Sequence, residues 1–222
     1  MDIVEAIQKR RSIRAYKADP VKKEIIQEIL QIAVRAPSSL NSQPWWINVL
    51  SGEIMEKVRQ GNLEMLMSGE MPYTDISLKP LEGEYKQRQV DVAKELFQIL
   101  GIAREDKQKR NEWAKQGLIF FNAPAAIILS AEKSLDPSMA FFDMGGLAQT
   151  ICLTAVNYGL GTCIMSQGIM YPQIIRKYLG IPETQVIRIC ITIGYPDENA
   201  PVNTLRTKRE PLEKNTIWFG FD

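Results

Sequence analysis

Ala36-Pro37-Ser38-Ser39-Leu40-Asn41-Ser42-Gln43-Pro44-Trp45 is a polar turn bounded by prolines, set between a helix-like stretch and a run of strand formers. Upstream, Ile25, Ile29, Ile32 and Ala33 recur at helical spacing. That spacing predicts a helix that opens at Asp19-Pro20, buries those residues on one side and stops at Pro37. Downstream, Trp45-Trp46-Ile47-Asn48-Val49-Leu50 reads as a strand, and Ser51-Gly52-Glu53 turns into a helix carrying Ile54, Met55 and Val58. The turn itself offers hydroxyls, amides and free backbone N–H groups, a set able to hydrogen-bond a flat heteroaromatic ring. Nearer the N-terminus, Arg10-Arg11-Ser12-Ile13-Arg14 follows a short helix that Asp2 can cap, with Ile3, Val4, Ala6 and Ile7 on one face. Its three guanidiniums form a planar, permanently charged cradle suited to a phosphate. Together the two segments suit a phosphorylated, ring-bearing cofactor.

The rest of the composition narrows the chemistry. At 222 residues, 45% hydrophobic and 24% charged, the chain suits one compact domain with a substantial core. Lys+Arg 27 against Asp+Glu 26 leaves a formal charge of +1, without the basic excess that nucleic acid or an anionic membrane calls for. The Met-Asp-Ile-Val start lacks a signal-peptide pattern, and the uncharged run from Gly145 to Val156 is too short to span a bilayer, so the expectation is a soluble cytoplasmic protein. There is no histidine, which removes Ser-His-Asp and Cys-His schemes, His-ligated zinc and the commonest neutral-pH base. Cys152, Cys163 and Cys190 are widely spaced among apolar neighbours, as buried structural thiols would be, and no metal site is expected. An enzyme built this way leaves the chemistry to a bound cofactor.

Residues 69–116 have a different character. Pro72, Pro80 and Gly83 break the first part into loop, and two polar amphipathic segments follow, Tyr85 to Leu100 and Arg104 to Phe121. This stretch is either a solvated helical hairpin or a lid. Ala125 to Leu129 is a buried strand, and Met139 to Tyr158 is apolar nearly all round, hence a core or interface helix whose Gly145-Gly146 lets another helix come close. Thr162 to Met165 forms a strand after Gly159-Leu160-Gly161, Pro172 to Leu179 a helix closed by Gly180, and Val186 to Ile193 a central strand. Four strands alternating with helices imply an α/β or α+β domain, and the absence of Gly-x-Gly-x-x-Gly after a strand argues against a dinucleotide-binding Rossmann domain. The tail, residues 197–222, is extended and ends in the apolar Ile217-Trp218-Phe219-Gly220-Phe221, which suits packing on a partner subunit.

Over essentially its whole length the chain resembles the FMN-dependent nitroreductase superfamily. The resemblance rests on Arg-Arg-Ser-x-Arg, on Ala-Pro-Ser-Ser-x-Asn-x-Gln-Pro-Trp, on Gly159-Leu160-Gly161-Thr162 before a strand, and on a late Gly-Tyr-Pro followed by Arg206 to Leu212. It implies a single α+β domain with a central mixed or antiparallel sheet flanked by helices, in an intertwined homodimer with exchanged C-terminal arms and FMN at the subunit interface. By resemblance, Arg10, Arg11, Ser12 and Arg14 hold the ribityl chain, phosphate and ring edge. Pro37, Ser38, Ser39 and Asn41 reach FMN from the other subunit, Ile164, Met165 and Ser166 flank the ring, and Arg209 binds the phosphate beside Arg206. The tail Pro201 to Arg209, the Tyr85-x-x-Arg88 pair and Leu100 to Asp106 are similar to the nitrobenzoate-reductase branch. There Tyr85 would stack on a small aromatic acceptor and Arg88 meet its carboxylate. The implied activity is ping-pong: NADH or NADPH reduces the flavin and leaves, then a nitroaromatic or quinone-like acceptor takes the electrons, with no general base required.

Each residue also has a plainer role. Arg10 and Arg14 could pair with acids such as Glu5, and Ser38 and Ser39 could be turn residues. Trp45 and Trp46 could be core, Asn41 and Gln43 could organise the loop, Arg206 to Arg209 could be a solvated run, and Tyr85 and Arg88 could face solvent. The function alternatives are another FMN-dependent reduction (enone, flavin or dehalogenation chemistry) and a protein that binds or stores flavin without turnover.

Overall fold

A computed structural model of the chain describes residues 1–76 and 79–221. Helix α1 (Ile3–Lys9) begins where Asp2 accepts from the N–H groups of Val4 and Glu5, and Lys9 closes its last turn. Helix α2 spans Lys23–Ala33, β1 Trp46–Ser51, α3 Gly52–Met67, α4 Gly83–Ile99, α5 Lys107–Leu118, β2 Ala125–Glu132, α6 Pro137–Asn157, β3 Gly161–Met165, α7 Pro172–Leu179, β4 Gln185–Gly194 and α8 Leu212–Asn215. The strands make one sheet in the order β1-β2-β4-β3, every neighbouring pair antiparallel, so the α+β expectation and the central place of β4 both hold.

The sheet separates two cores. On one face α2 and α6 cover Ile127, Leu129, Ile191 and Ile193 with Ile26, Ile29, Leu147 and Ile151. On the other, α3, α7 and the turn after α5 cover Ile128, Ile187 and Cys190 with Val58, Phe120 and Ile175. Both faces of β2 are therefore covered, and its burial is continuous rather than alternating. By length and composition alone α6 could cross a membrane. It instead carries the buried Asp143 and puts Met144, Leu147, Ile151 and Cys152 into the core.

Two expectations need correction, and a third is not met within one chain. Helix α2 starts at Lys23 rather than at Asp19-Pro20, because the chain before it is committed elsewhere: Lys17 N–H donates to Tyr195 O at 2.9 Å. Its buried residues are Ile26, Ile29 and Ala33, while Ile32 stays 48% exposed. Helix α5, the second of the two polar segments, starts at Lys107, capped by Asp106, and ends at Leu118. Phe120, Phe121 and Asn122 then turn through the left-handed region at φ 59°, 51° and 54°, a conformation that bulky residues hold only when packing enforces it. Finally, no atom lies within 4 Å of where a Cβ would stand on Gly145 or Gly146, so within one chain no helix exploits them.

What positions the basic segment is its seat on the edge of β3. Ile13 N–H donates to Thr162 O at 2.9 Å, and Ser12 bridges to Thr162 in parallel. Ile13 is buried over Gly161, where an added Cβ would stand 2.5 Å from Ile13 Cγ1 and 2.9 Å from a Pro196 ring carbon. Gly161→Ala should therefore lift the segment off the sheet, lowering stability by about 1–3 kcal/mol as overpacking does, readable as a reduced urea midpoint. An unchanged midpoint would show that the segment is not held by this contact.

Candidate active site

Arg10, Arg11, Ser12, Arg14, Ile164, Arg206 and Arg209 line one cavity of about 890 Å³, open between α1, the β3 edge and the C-terminal segment. The Glu5 alternative is gone: Glu5 pairs with Lys9 at 2.5 Å, and among the described residues Arg10, Arg11 and Arg14 make no ion pair. Arg11 has a buried Nε with no partner. Burial, then the nearby Arg206 charge, holds its guanidinium below the ordinary value. Arg206 Nη1 donates to the carbonyls of Asn203 and Leu205 at 2.9 and 3.0 Å, and Arg209 Nη1 to Thr207 Oγ1 at 2.8 Å. Five guanidiniums converge there, and an anion is what would satisfy them.

A smaller cavity of about 350 Å³ adjoins it, sharing Arg14 and Ile164 and adding Met165, Ser166, Phe121 and Phe141. So the structure brings together all the expected residues of the basic segment, the β3 end and the late arginines. Pro37, Ser38, Ser39 and Asn41 line neither cavity. Their loop is nonetheless built: Ser39 N–H donates to both Asp143 carboxylate oxygens at 3.2 and 3.1 Å, and Gln43 N–H to Ser38 Oγ at 3.0 Å. Leu40, Asn41 and Gln43 take positive φ there, and Leu40 is fully exposed. Trp45 packs against the α2–α6 core. Tyr85 and Arg88 also line neither cavity. Arg88 lies 5.4 Å from the Tyr85 ring centroid and is held by Glu84 and Glu210, each at 2.9 Å.

Two residues that sequence reasoning passed over hold this geometry. Asn203 is buried; its Oδ1 accepts from Arg14 N–H and its Nδ2 donates to the carbonyls of Ala15 and Asp197, all at 2.8 Å. One amide thus ties the basic segment to the late arginine segment. Asp143 anchors the serine loop, and its signal was legible as the one charge in an apolar helix. Asn203 sits in a polar tail and carries no such signal.

No described thiol is poised to react. Burial lifts the Cys152 thiol to about 11, and Cys163 and Cys190 are pushed up for the same reason. Among the described residues no cluster of Cys, Asp and Glu could hold a metal ion. A thiol whose folded value is raised stabilises the fold below its unfolded value and loses that contribution as pH rises towards the folded one. Unfolding by urea should therefore become easier between pH 9 and 10.5, by about 2 kcal/mol for Cys152 alone; a midpoint constant over that window would contradict the burial.

Residues 7–195 match the sequence profile of the nitroreductase family. A 4-nitrobenzoate reductase of Pseudomonas putida is 32% identical over 228 residues, covering 100% of this chain and 97% of that protein. Among solved structures, the FMN and NADPH-dependent nitroreductase NfnB from Sphigopyxis sp. strain HMH superposes with a TM-score of 0.95 at 32% identity, with full coverage of both chains. The FMN-dependent NfnB of Mycobacterium smegmatis, solved in complex with NADPH, gives 0.91 at 27% identity, covering 98% of this chain and 100% of that one. With this profile, these relatives and this fold, the chain belongs to the nitroreductase family.

Proposed function

We propose that the protein is an NAD(P)H-dependent FMN oxidoreductase that reduces nitroaromatic or quinone-like electron-poor acceptors. The observation that carries this is the cavity of five convergent arginines, one with an orphaned buried Nε, beside the Ile164–Ser166 backbone. The fit to FMN is good on chemistry: the arginines and Ser12 suit a phosphate and ribityl chain, and the apolar β3 end suits a flat ring. Bound there, FMN supplies hydride transfer between a nicotinamide and the acceptor. The chain's own contribution is to neutralise the phosphate with Arg11, Arg206 and Arg209, to set positive charge near the ring with Arg10 and Arg14, and to keep buried thiols out of the chemistry.

The same reading makes the enzyme a homodimer. Support comes from surfaces that one chain leaves uncovered: Trp218 and Phe219 of the tail are 62% and 81% exposed, as are apolar residues of α1 and the outer face of α6. The serine loop, which lines neither cavity of its own chain, then serves the flavin of the other subunit. Tyr85 is the stacking group of the lid, with Arg88 fixing its ring, and the arm of residues 197–222 embraces the partner. A cytoplasmic place agrees with three free, buried cysteines.

Purified protein should carry a flavin band near about 450 nm. Anaerobic NADPH or NADH should bleach it, and a nitroaromatic should restore it. Arg14→Ala and Arg209→Ala should each weaken FMN binding by about 2–4 kcal/mol, read by flavin retention on dialysis. Fully flavinated variants would overturn the phosphate assignment, and a band that neither nicotinamide bleaches would leave a flavin-binding protein without turnover. Inert nitro compounds beside an active quinone or halophenol would change the acceptor class.

A further inference from the structure

Arg188 stands apart from the arginine cluster. It is 5% exposed in the middle of β4, its Nε is buried without a partner, and among the described residues its side chain makes no ion pair or hydrogen bond. The ladder explains where it points. Ile189 pairs with Leu129 and Ile187 with Ser130, so Arg188 is the extra residue of a bulge, a device that re-aims a side chain out of the strand's alternation. It lines the cavity of about 350 Å³ at the β3 end, with its guanidinium carbon 5.9 Å from the centre of the Phe141 ring. Asp75, the acid whose charge reaches it, is already engaged: its Oδ2 accepts from Arg176 Nη2 at 2.5 Å and from Ile187 N–H at 2.8 Å.

That cavity is charged in one sense only. Among its described lining residues Arg14 and Arg188 are cations and none is an acid. Arg14 also lines the larger cavity of the arginine cluster, whereas Arg188 lines only the smaller. Arg188 is therefore placed for the ring rather than for the phosphate. A buried cation left unpaired is costly, and a neutral ring would leave that cost standing. A ring that turns negative would remove it. A hydride carries two electrons and one proton, so its delivery from a nicotinamide leaves one negative charge on the group that receives it.

We propose that Arg188 balances the negative charge that the flavin ring takes up on reduction, raising the ring's tendency to accept electrons. The inference rests on the proposed flavin reading and adds a residue and a role to that same site. Arg206 and Arg209 face a phosphate whose charge is the same before and after reduction. Arg188 meets a charge present in one redox state only, and a differential interaction is what moves an equilibrium. Set on a strand paired on both sides, the guanidinium is preorganised and needs no rearrangement when the charge appears.

The test uses FMN-loaded enzyme and sulfite, which bonds to the flavin ring through its sulfur lone pair, bleaches the flavin band and leaves the ring negative without nicotinamide or acceptor. Wild type should bind sulfite about tenfold more tightly than R188M, the lower value of a hydrogen bond to a charged group. R188K, cationic but without the fork, should fall between. The two-electron midpoint potential should drop in R188M by the same factor, about 30 mV for tenfold. Oxidised FMN and riboflavin should both bind flavin-free R188M within about threefold of wild type, as loss of a contact to a neutral ring allows. Flavin-free R188M should melt no lower than flavin-free wild type, since it removes an unpaired buried charge. The proposal is overturned if R188M keeps either the sulfite affinity or the potential of wild type. A loss of FMN binding that riboflavin does not share also overturns it, for Arg188 then serves the phosphate. So does a lowered melting temperature, for the cation then has a partner within the fold. The flavin reading fails separately. A protein that takes up no FMN removes both, whereas the sulfite and potential differences in a protein whose flavin no nicotinamide bleaches keep the charge balance and remove the reductase.

Discussion

The site depends on a single backbone contact, the seat of residues 12–13 on the edge of β3. Ile13 donates to Thr162 and buries its side chain over Gly161, at a separation that leaves no room for a Cβ. Alternation along the extended chain then does the rest. With Ile13 facing inward, Ser12 and Arg14 are turned the other way, towards the open cavity. Tyr16 reinforces the seat: its hydroxyl bonds Ile13 O at 2.9 Å and Thr192 Oγ1 at 2.7 Å. Five arginines close together repel one another, so the fold must impose what the charges resist. Hydrogen bonds from backbone to sheet are the means, because they hold the segment without engaging a guanidinium.

Asn203 extends that constraint across the whole chain. Bonding Arg14, Ala15 and Asp197 at once, it makes the start and the end of the sequence into one unit. The arginine cluster is therefore assembled from residues almost two hundred positions apart in the chain, and it exists only when the sheet between them is complete. That coupling links stability to function: whatever loosens the β3–β4 edge also disperses the arginines. Helix α4 is tied on by weaker means, an exposed ionic network of Arg88, Glu84, Glu210 and Lys214. Such surface pairs contribute little apiece, and no residue of α4 is buried to add to them.

Much of this was legible in the sequence, and the failures have physical causes. The strands were readable because β-branched runs bounded by Gly and Pro are local signals, and so were Asp2 as a cap and Gly180 as a stop. The start of α2 was misread because Pro20 suits an extended lead-in as well as a helical first turn. Which isoleucines of α2 are buried is set by where the α6 core packs on the helix, which spacing alone does not give. The turn at Phe120 and Phe121 was invisible, since bulky residues at positive φ have no compositional mark. Arg188 was invisible for another reason: a bulge depends on the register between two strands, and register is a property of the pair. The basic segment and serine loop were identified by motif, but their division between one cavity and none of its own needed coordinates.

The central claim is that the arginines gathered by this seat hold a phosphate and that the phosphate is FMN's. Comparing FMN with riboflavin, which has the same ring and ribityl chain but no phosphate, tests it most directly. Titrated into flavin-free enzyme, FMN should bind about a thousandfold more tightly than riboflavin, as several charge-assisted hydrogen bonds require, and most of that margin should vanish with added salt at the exposed arginines. Equal affinities for the two flavins would contradict the account.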